Sequence, residues 1–201
     1  MAKLKLTKNE LKKQKDSLKM FQRYLPTLML KKQQLQREIR LTELRIKELL
    51  TEKNLLNESF KTWIGVFSEK GIFTPDLLKI TKIKTTQGNI AGVTIPIFED
   101  AEIQTSPYDL ARTPFWLDIA ADKMKQVMLL DLEAKIVEEQ RKRLDRELRV
   151  TTQRVNLFEK IKIPETKNSI KKIQVYLGDQ QTSAVVRGKI AKTGLEKAAN
   201  Q

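Results

Sequence analysis

The 201-residue sequence has no cysteine and no histidine. Their absence rules out disulfides, thiolate or imidazole zinc sites, and nucleophilic centres of the Ser-His-Asp or Cys-His kind. Aromatic residues make up only 6% of the chain, and seven glycines and six prolines leave few turn signals for a many-stranded β fold. Long apolar runs are missing as well. The segment Met1 to Leu6 lacks the apolar core of a signal peptide, and the longest uncharged stretch, Thr85 to Phe98, is too short and too polar to span a bilayer. No phosphate-binding loop is present: Gly188-Lys189 is followed by Ile190 without the required upstream glycine, and no Gly-x-Gly-x-x-Gly occurs. These exclusions predict a soluble cytoplasmic chain with no cofactor and no metal site, which turns over no substrate unaided.

Charge is plentiful, at 32% of the residues with a net balance of +14. The excess is uneven, at +9 for residues 1–70, −1 for 71–113, +2 for 114–164 and +4 for 165–201. If the two ends meet in space, one tip of the molecule is strongly basic. Such a tip fits nucleic acid, an anionic membrane surface or an acidic protein cavity, or it simply solvates long helices.

The periodicity is helical and very regular. Thr7 and Glu10 form a T-x-x-E capping box, and Leu6 can close a hydrophobic staple on Leu11. From Leu11 a 3.5-residue register runs through Leu18, Leu25, Lys32, Ile39, Ile46, Lys53 and Phe60 to Phe67. It interleaves with Gln14, Phe21, Leu28, Leu35, Thr42, Leu49, Leu56 and Trp63. Heptads held in phase for so long predict a coiled coil over residues 1–70, ended by Gly71 and bent near Pro26. A second coiled-coil helix is expected over 114–193, opened by Thr113-Pro114. Its seam reads Leu130, Ala134, Val137, Arg141, Leu144, Leu148, Thr151, Val155 and Phe158. Acid-before-base pairs four residues apart, Asp131/Lys135, Glu138/Lys142, Glu139/Arg143 and Asp145/Arg149, should brace its exposed faces. Beyond Ile163-Pro164 the apolar positions Ile170, Ile173, Leu177, Ala184 and Ala191 are displaced by one from this seam, which predicts a kink or stutter there. Residues 194–201 read as a frayed tail.

Residues 71–113 differ. Thr74-Pro75-Asp76 reads as a short helix start, and Ile80 to Thr86 and Asn89 to Phe98 read as strands about a turn at Gln87-Gly88-Asn89, with Pro96 confining its strand to an edge or bulge. The acidic group Glu99, Asp100 and Glu102 reads as a solvated turn rather than an acid/base pair, since no other reactive group accompanies it. Trp63 and Trp116, at the inner ends of the helices, read as core or interface anchors. The expected fold is mainly α: a long antiparallel two-helix coiled-coil hairpin with a small β-hairpin-containing middle region.

Three segments carry a family resemblance. Arg154-Val155-Asn156 with Glu159, Ile163 and Pro164 is similar to the RVN-x-x-E-x-x-x-IP signature of the D subunits, the central-stalk axles of V-type and archaeal-type rotary ATPases. Asn89 to Phe98 resembles that family's N-[IV]-x-G-V-x-[VIL]-P-x-[FL] segment, and Leu6-Thr7-Lys8-x-x-Leu11 its opening. The resemblance covers roughly residues 4–193. It implies a non-catalytic rotor shaft coupling ATP hydrolysis or synthesis in a catalytic head to proton or sodium translocation through a membrane ring. The implied partners are the catalytic and regulatory A- and B-type head subunits, the F subunit of the central stalk and the stalk subunit that caps the membrane ring, with no nucleic acid and no direct insertion into the membrane. The complex is then cytoplasmic and peripheral to the membrane. On this reading the tip residues Lys12, Lys13, Lys15, Lys19, Arg187, Lys189 and Lys192 face the head. Trp63, Phe67, Val93, Ile95, Ile97, Phe98 and Trp116 face stalk partners. The residues alone leave open a basic coiled-coil scaffold or a nucleic-acid-binding module.

Overall fold

The computed structural model describes residues 4–61, 77–107 and 116–199. In chain order these form α1 (Lys8–Lys61), β1 (Leu78–Ile90), β2 (Val93–Thr105), α2 (Trp116–Asn156), a π-helical turn (Leu157–Lys162) and α3 (Ile163–Ala199). The last three are continuous in sequence. The fold is the expected one, long helices with one small antiparallel β-hairpin between them. The expected helix stop at Gly71, the short helix start at Thr74 and the cap at Thr113-Pro114 lie outside the described residues.

α1 starts where its cap is written. The backbone N–H of Glu10 donates to Thr7 Oγ1 at 3.3 Å, and that of Leu11 to the Thr7 carbonyl at 3.0 Å. The Glu10 carboxylate does not close the reciprocal half of the box; it accepts from Gln14 Nε2 at 2.8 Å. Pro26 sits inside α1 without ending it, and the register positions on either side of it, Phe21, Leu25 and Leu28, are half-buried.

The chain divides into two compact units, residues 32–150 and residues 1–31 with 151–201. In the first, α1 and α2 pack antiparallel. Leu35 and Ile39 of α1 share a core with Leu144 of α2, while further along, Arg45 meets Glu133 and Lys53 meets Asp131. As one partner's number rises the other's falls, which is the signature of an antiparallel pair. Of the expected seam positions, Leu35, Ile39, Thr42 and Leu49 are buried on α1 and Val137 and Leu144 on α2, while Leu117, Ala120, Ala121 and Leu132 are buried off the seam.

The β-hairpin lies on this coil rather than standing away from it. Its base, with Leu77 and Leu78, packs on Leu117, Ala121 and Trp116. Its tip, with Ile90, Ala91, Val93 and the buried Ile95, packs on Leu35, Ile39, Leu144 and Leu148. The lengths match: from Leu117 to Leu144 a helix rises ~40 Å, and a 13-residue strand spans about the same.

Two expectations about the hairpin need correction: the place of its turn, and the reading of Glu99, Asp100 and Glu102 as a turn, since β2 continues through them to Thr105. The strands run to Ile90 and from Val93, and the turn is Ala91-Gly92, with φ of 51° and 78°; it is not at Gln87-Gly88-Asn89. Positive φ at both positions is the two-residue hairpin geometry whose twist suits the strands, and Asn89 Oδ1 supports it by accepting the Gly92 N–H at 3.0 Å. Gly88 belongs to the strand because Ile97 folds over it: a Cβ there would stand 2.5 Å from Ile97 Cδ1. Two register shifts skip Thr81 of β1 and Glu99 of β2 in the strand pairing, so two bulges of opposite sense cancel.

In the other unit, Phe21 of α1 and Phe158 make a tilted ring pair, with centroids 5.2 Å apart. The expected stutter takes the form of the π-helical turn. The Ile163 N–H reaches back five residues to the Phe158 carbonyl, and the buried positions pass from Thr151 and Val155 to Thr166 and Ile173. One extra residue in a π turn rotates the following helix by about 100°, which is the one-position shift visible in the sequence.

Candidate functional site

No catalytic centre emerges from the geometry of the described residues. Among the described residues no group of His, Cys, Asp or Glu is arranged to hold a metal ion, and no buried side-chain polar atom lacks a hydrogen-bond partner. The acidic group of the hairpin is engaged across the ribbon: Lys84 opposes Asp100, and Lys84 Nζ lies 2.9 Å from Glu102 Oε1. That hydrogen bond raises the Lys84 pKa. What the structure offers is a set of surfaces, and a coil built to hold them in place.

Ion pairs fasten the coil at its polar seam positions. Lys53 Nζ binds Asp131 at 2.7 Å, and Arg45, just off the seam, donates through Nη2 and Nε to Glu133 at 2.7 and 3.2 Å. The Glu133 hydrogen bond raises the Arg45 pKa, against the opposing effect of burial. Arg141, the cation in the α2 seam, lies between Glu138 (2.7 Å) and Asp145 (3.0 Å). Its hydrogen bonds to Glu138 raise its own pKa and lower that of Glu138. Of the four expected acid-before-base pairs, only Glu139–Arg143 is seen, at 3.1 Å. Asp131 has been taken by the opposite helix, and Glu138 and Asp145 by Arg141.

The expected tip residues do not all come together. Lys12, Lys13, Lys15 and Lys19 are exposed on the first turns of α1. That stretch runs beside the π turn and the start of α3, where Gln14, Ser17 and Phe21 share an open groove with Lys162, Glu165 and Thr166. Arg187, Lys189 and Lys192 are exposed on α3 some twenty residues further on, or about 30 Å along the helix. Leu6, just before α1, lies level with Val175 and Asp179, so α3 runs on past the start of α1. From Gly178 to Leu195 every residue is exposed, including Val185, Val186, Ile190 and Leu195.

Of the residues expected to meet stalk partners, Ile95 is buried in the coil–hairpin core, and Val93 and Trp116 are partly buried against the two hydrophobic clusters. Phe98 is half-buried and Ile97 is exposed, as are Ile80 and Ile83 of β1. Trp63 and Phe67 lie outside the described residues. Of the motif residues, Val155 is buried and Ile163 half-buried, whereas Arg154, Asn156, Glu159 and Pro164 are exposed on or beside the π turn. Sequence reasoning missed Gln140 and Arg143, which hold the hairpin to α2 through the carbonyls of Pro96 (2.6 Å) and Thr94 (3.4 Å). A polar residue on a helix flank carries no signal of a main-chain partner 44 or 49 positions away.

The model of the family of ATP synthase D subunits matches residues 10–193, which takes in the helices, the hairpin and the π turn. The chain belongs to this family of ATP synthase D subunits. It is 54% identical over 197 residues to the V-type ATP synthase D subunit of Borreliella burgdorferi, covering 98% of this chain and 97% of that protein. It is 36% identical to that of Chlamydia pneumoniae, covering 96% and 93%, and 34% identical to that of Chlamydia trachomatis serovar L2, covering 96% and 97%. As a D subunit it is a structural stalk component of a rotary ATPase, not a catalytic one. Among the described residues no helix is long and apolar enough to cross a membrane.

Proposed function

We propose that this D subunit is the central rotor shaft that couples ATP hydrolysis or synthesis in the head to proton or sodium translocation through the membrane ring. The supporting observation is the antiparallel coil, whose buried seam and cross-helix ion pairs resist sliding of one helix along the other. A paired, braced coil transmits torque where a single helix would twist.

The shaft's exposed end, α3 from Gly178 to Leu195, enters the bore formed by the A- and B-type subunits. Arg187, Lys189 and Lys192 face that bore, and Lys12, Lys13, Lys15 and Lys19 meet the head nearer its rim. The F subunit and the stalk component capping the membrane ring bind the other unit, where Ile97 and Phe98 remain accessible. The complex sits peripherally on the cytoplasmic side, with this chain outside the bilayer.

The natural lack of cysteine makes the test clean. A single Lys189→Cys, paired with a cysteine in a bore-lining loop of the head, should stop ATPase turnover on oxidation and recover it on reduction. Full ATPase activity in the cross-linked complex would show that the shaft need not rotate, and would end the proposal.

A further inference from the structure

The two edges of the β-ribbon are treated differently. The carbonyls of Thr94 and Pro96 face away from β1, since Arg143 and Gln140 of α2 take them. The main-chain groups of alternate residues in β2 therefore point outward, and Pro96 sits where no ladder bond is lost. By the same register, Asn89 opposes Thr94, Gln87 opposes Pro96 and Thr85 opposes Phe98. Their N–H and C=O groups point outward on the far side of β1. α2 covers the β2 edge. From Thr85 to Asn89 no described residue bonds the β1 edge, and all but Gly88 are exposed.

Open edges usually carry protection, in the form of lysines, bulges or prolines. In β1 the protection is confined to the first half, which holds Lys79, Lys82, Lys84 and the Thr81 bulge. The second half, Thr85-Thr86-Gln87-Gly88-Asn89, has no charge, no proline and no bulge. An incoming strand meets an uncharged template there, flanked on one side by lysines. Lys84 is paired with Glu102, but Lys82 is exposed and has no ion-pair partner among the described residues. A second copy of this chain is a poor occupant, because each copy carries a net charge of +14.

We propose that the β1 edge from Thr85 to Asn89 accepts an extended segment of a partner protein as a third, antiparallel strand, uncharged where it pairs and acidic at the C-terminal end that passes Lys82. The edge geometry stands whether or not the shaft reading holds.

A synthetic probe tests it on the full-length chain: the capped nonapeptide Thr-Val-Thr-Val-Thr-Val-Thr-Glu-Glu, with amide exchange followed residue by residue by NMR. Without peptide, the Thr86 and Gly88 amides should exchange slowly through their bonds to β2, and those of Thr85, Gln87 and Asn89 quickly. Excess peptide should slow the second set. A peptide ending in Lys-Lys should bind about tenfold more weakly. Gln87→Pro, which removes one outward N–H, should abolish binding, while Gln87→Ala should preserve it. Unchanged exchange at Thr85, Gln87 and Asn89 in millimolar peptide would overturn the proposal, as would equal slowing by the Lys-Lys peptide. Slowing that grows with chain concentration in the absence of peptide would overturn it too, by making a second copy the occupant.

Discussion

Lys53 Nζ lies 2.7 Å from Asp131 Oδ1, joining a seam position of α1 to α2 across the antiparallel pair. Both side chains are partly exposed, so the pair contributes about 1 kcal/mol or less. Lys53→Ala should lower the melting temperature by no more than ~4 °C. The exchanged double variant Lys53→Asp with Asp131→Lys should regain most of that loss. A thermal melt that shows additive losses in the double variant would mean the two charges do not interact.

Leu35 and Leu144 are wholly buried, and both touch the cluster that seats the hairpin tip. Truncating either to Ala should cost about 2–5 kcal/mol, read from urea unfolding. The same truncation at Leu55, which is 72% exposed, should cost less than about 0.5 kcal/mol. The contrast tests whether the buried seam, and not helix propensity, stabilises the coil.

Glycines 88 and 92 should respond differently to alanine. At Gly88 the new Cβ meets the flexible, exposed end of Ile97, which can swing aside, so the change should be within ~0.5 kcal/mol of neutral. At Gly92 a φ of 78° makes alanine strained, at about 1–2 kcal/mol. Chemical denaturation of the two variants separates them.

The π turn makes a prediction that no ordinary helix would. Deleting Ile161 together with Pro164→Ala should let α2 and α3 join as one α-helix with the seams before and after in phase. The melting temperature should then stay within ~3 °C of the parent. Deleting Glu147 instead puts every downstream seam residue out of phase, and should cost more than about 3 kcal/mol.

Acid should loosen the α2 surface. Hydrogen bonding to Arg141 holds the Glu138 pKa below its ordinary 4.5, so its contribution is complete above the unfolded-state value and is lost as pH falls through the folded one. Stability should be level from pH 7 to about 5 and decline below it. Glu138→Gln should flatten part of that decline in a pH series of thermal melts.

Much of this molecule is local information and is legible in the residues alone. A seam repeating every 3.5 residues needs only the spacing of Leu35, Ile39, Thr42 and Leu49, because any helix built on that spacing buries that face. Thr7 caps α1 through atoms three residues away. The displacement between Val155 and Ile170 points to an inserted residue, and sequence alone determined that some accommodation had to occur. The family signature is legible for the same reason, being carried by contiguous residues.

Other features depend on groups distant in the chain, and only the tertiary structure decided them. Gly88 reads as a turn because glycine often is one, yet Ile97, packing from across the ribbon, claims its empty space. Asp131 has a good local partner in Lys135, but Lys53 on the opposite helix binds it instead. Nothing in residues 78–105 states that the hairpin lies along the coil, since that follows from Leu35, Leu144 and Gln140 meeting it there. The basic residues of the two chain ends share a sign, but the further reach of α3 beyond α1 separates them. Local periodicity determines which face of each element is apolar; which surfaces end up covered, and by what, is settled only when the elements meet.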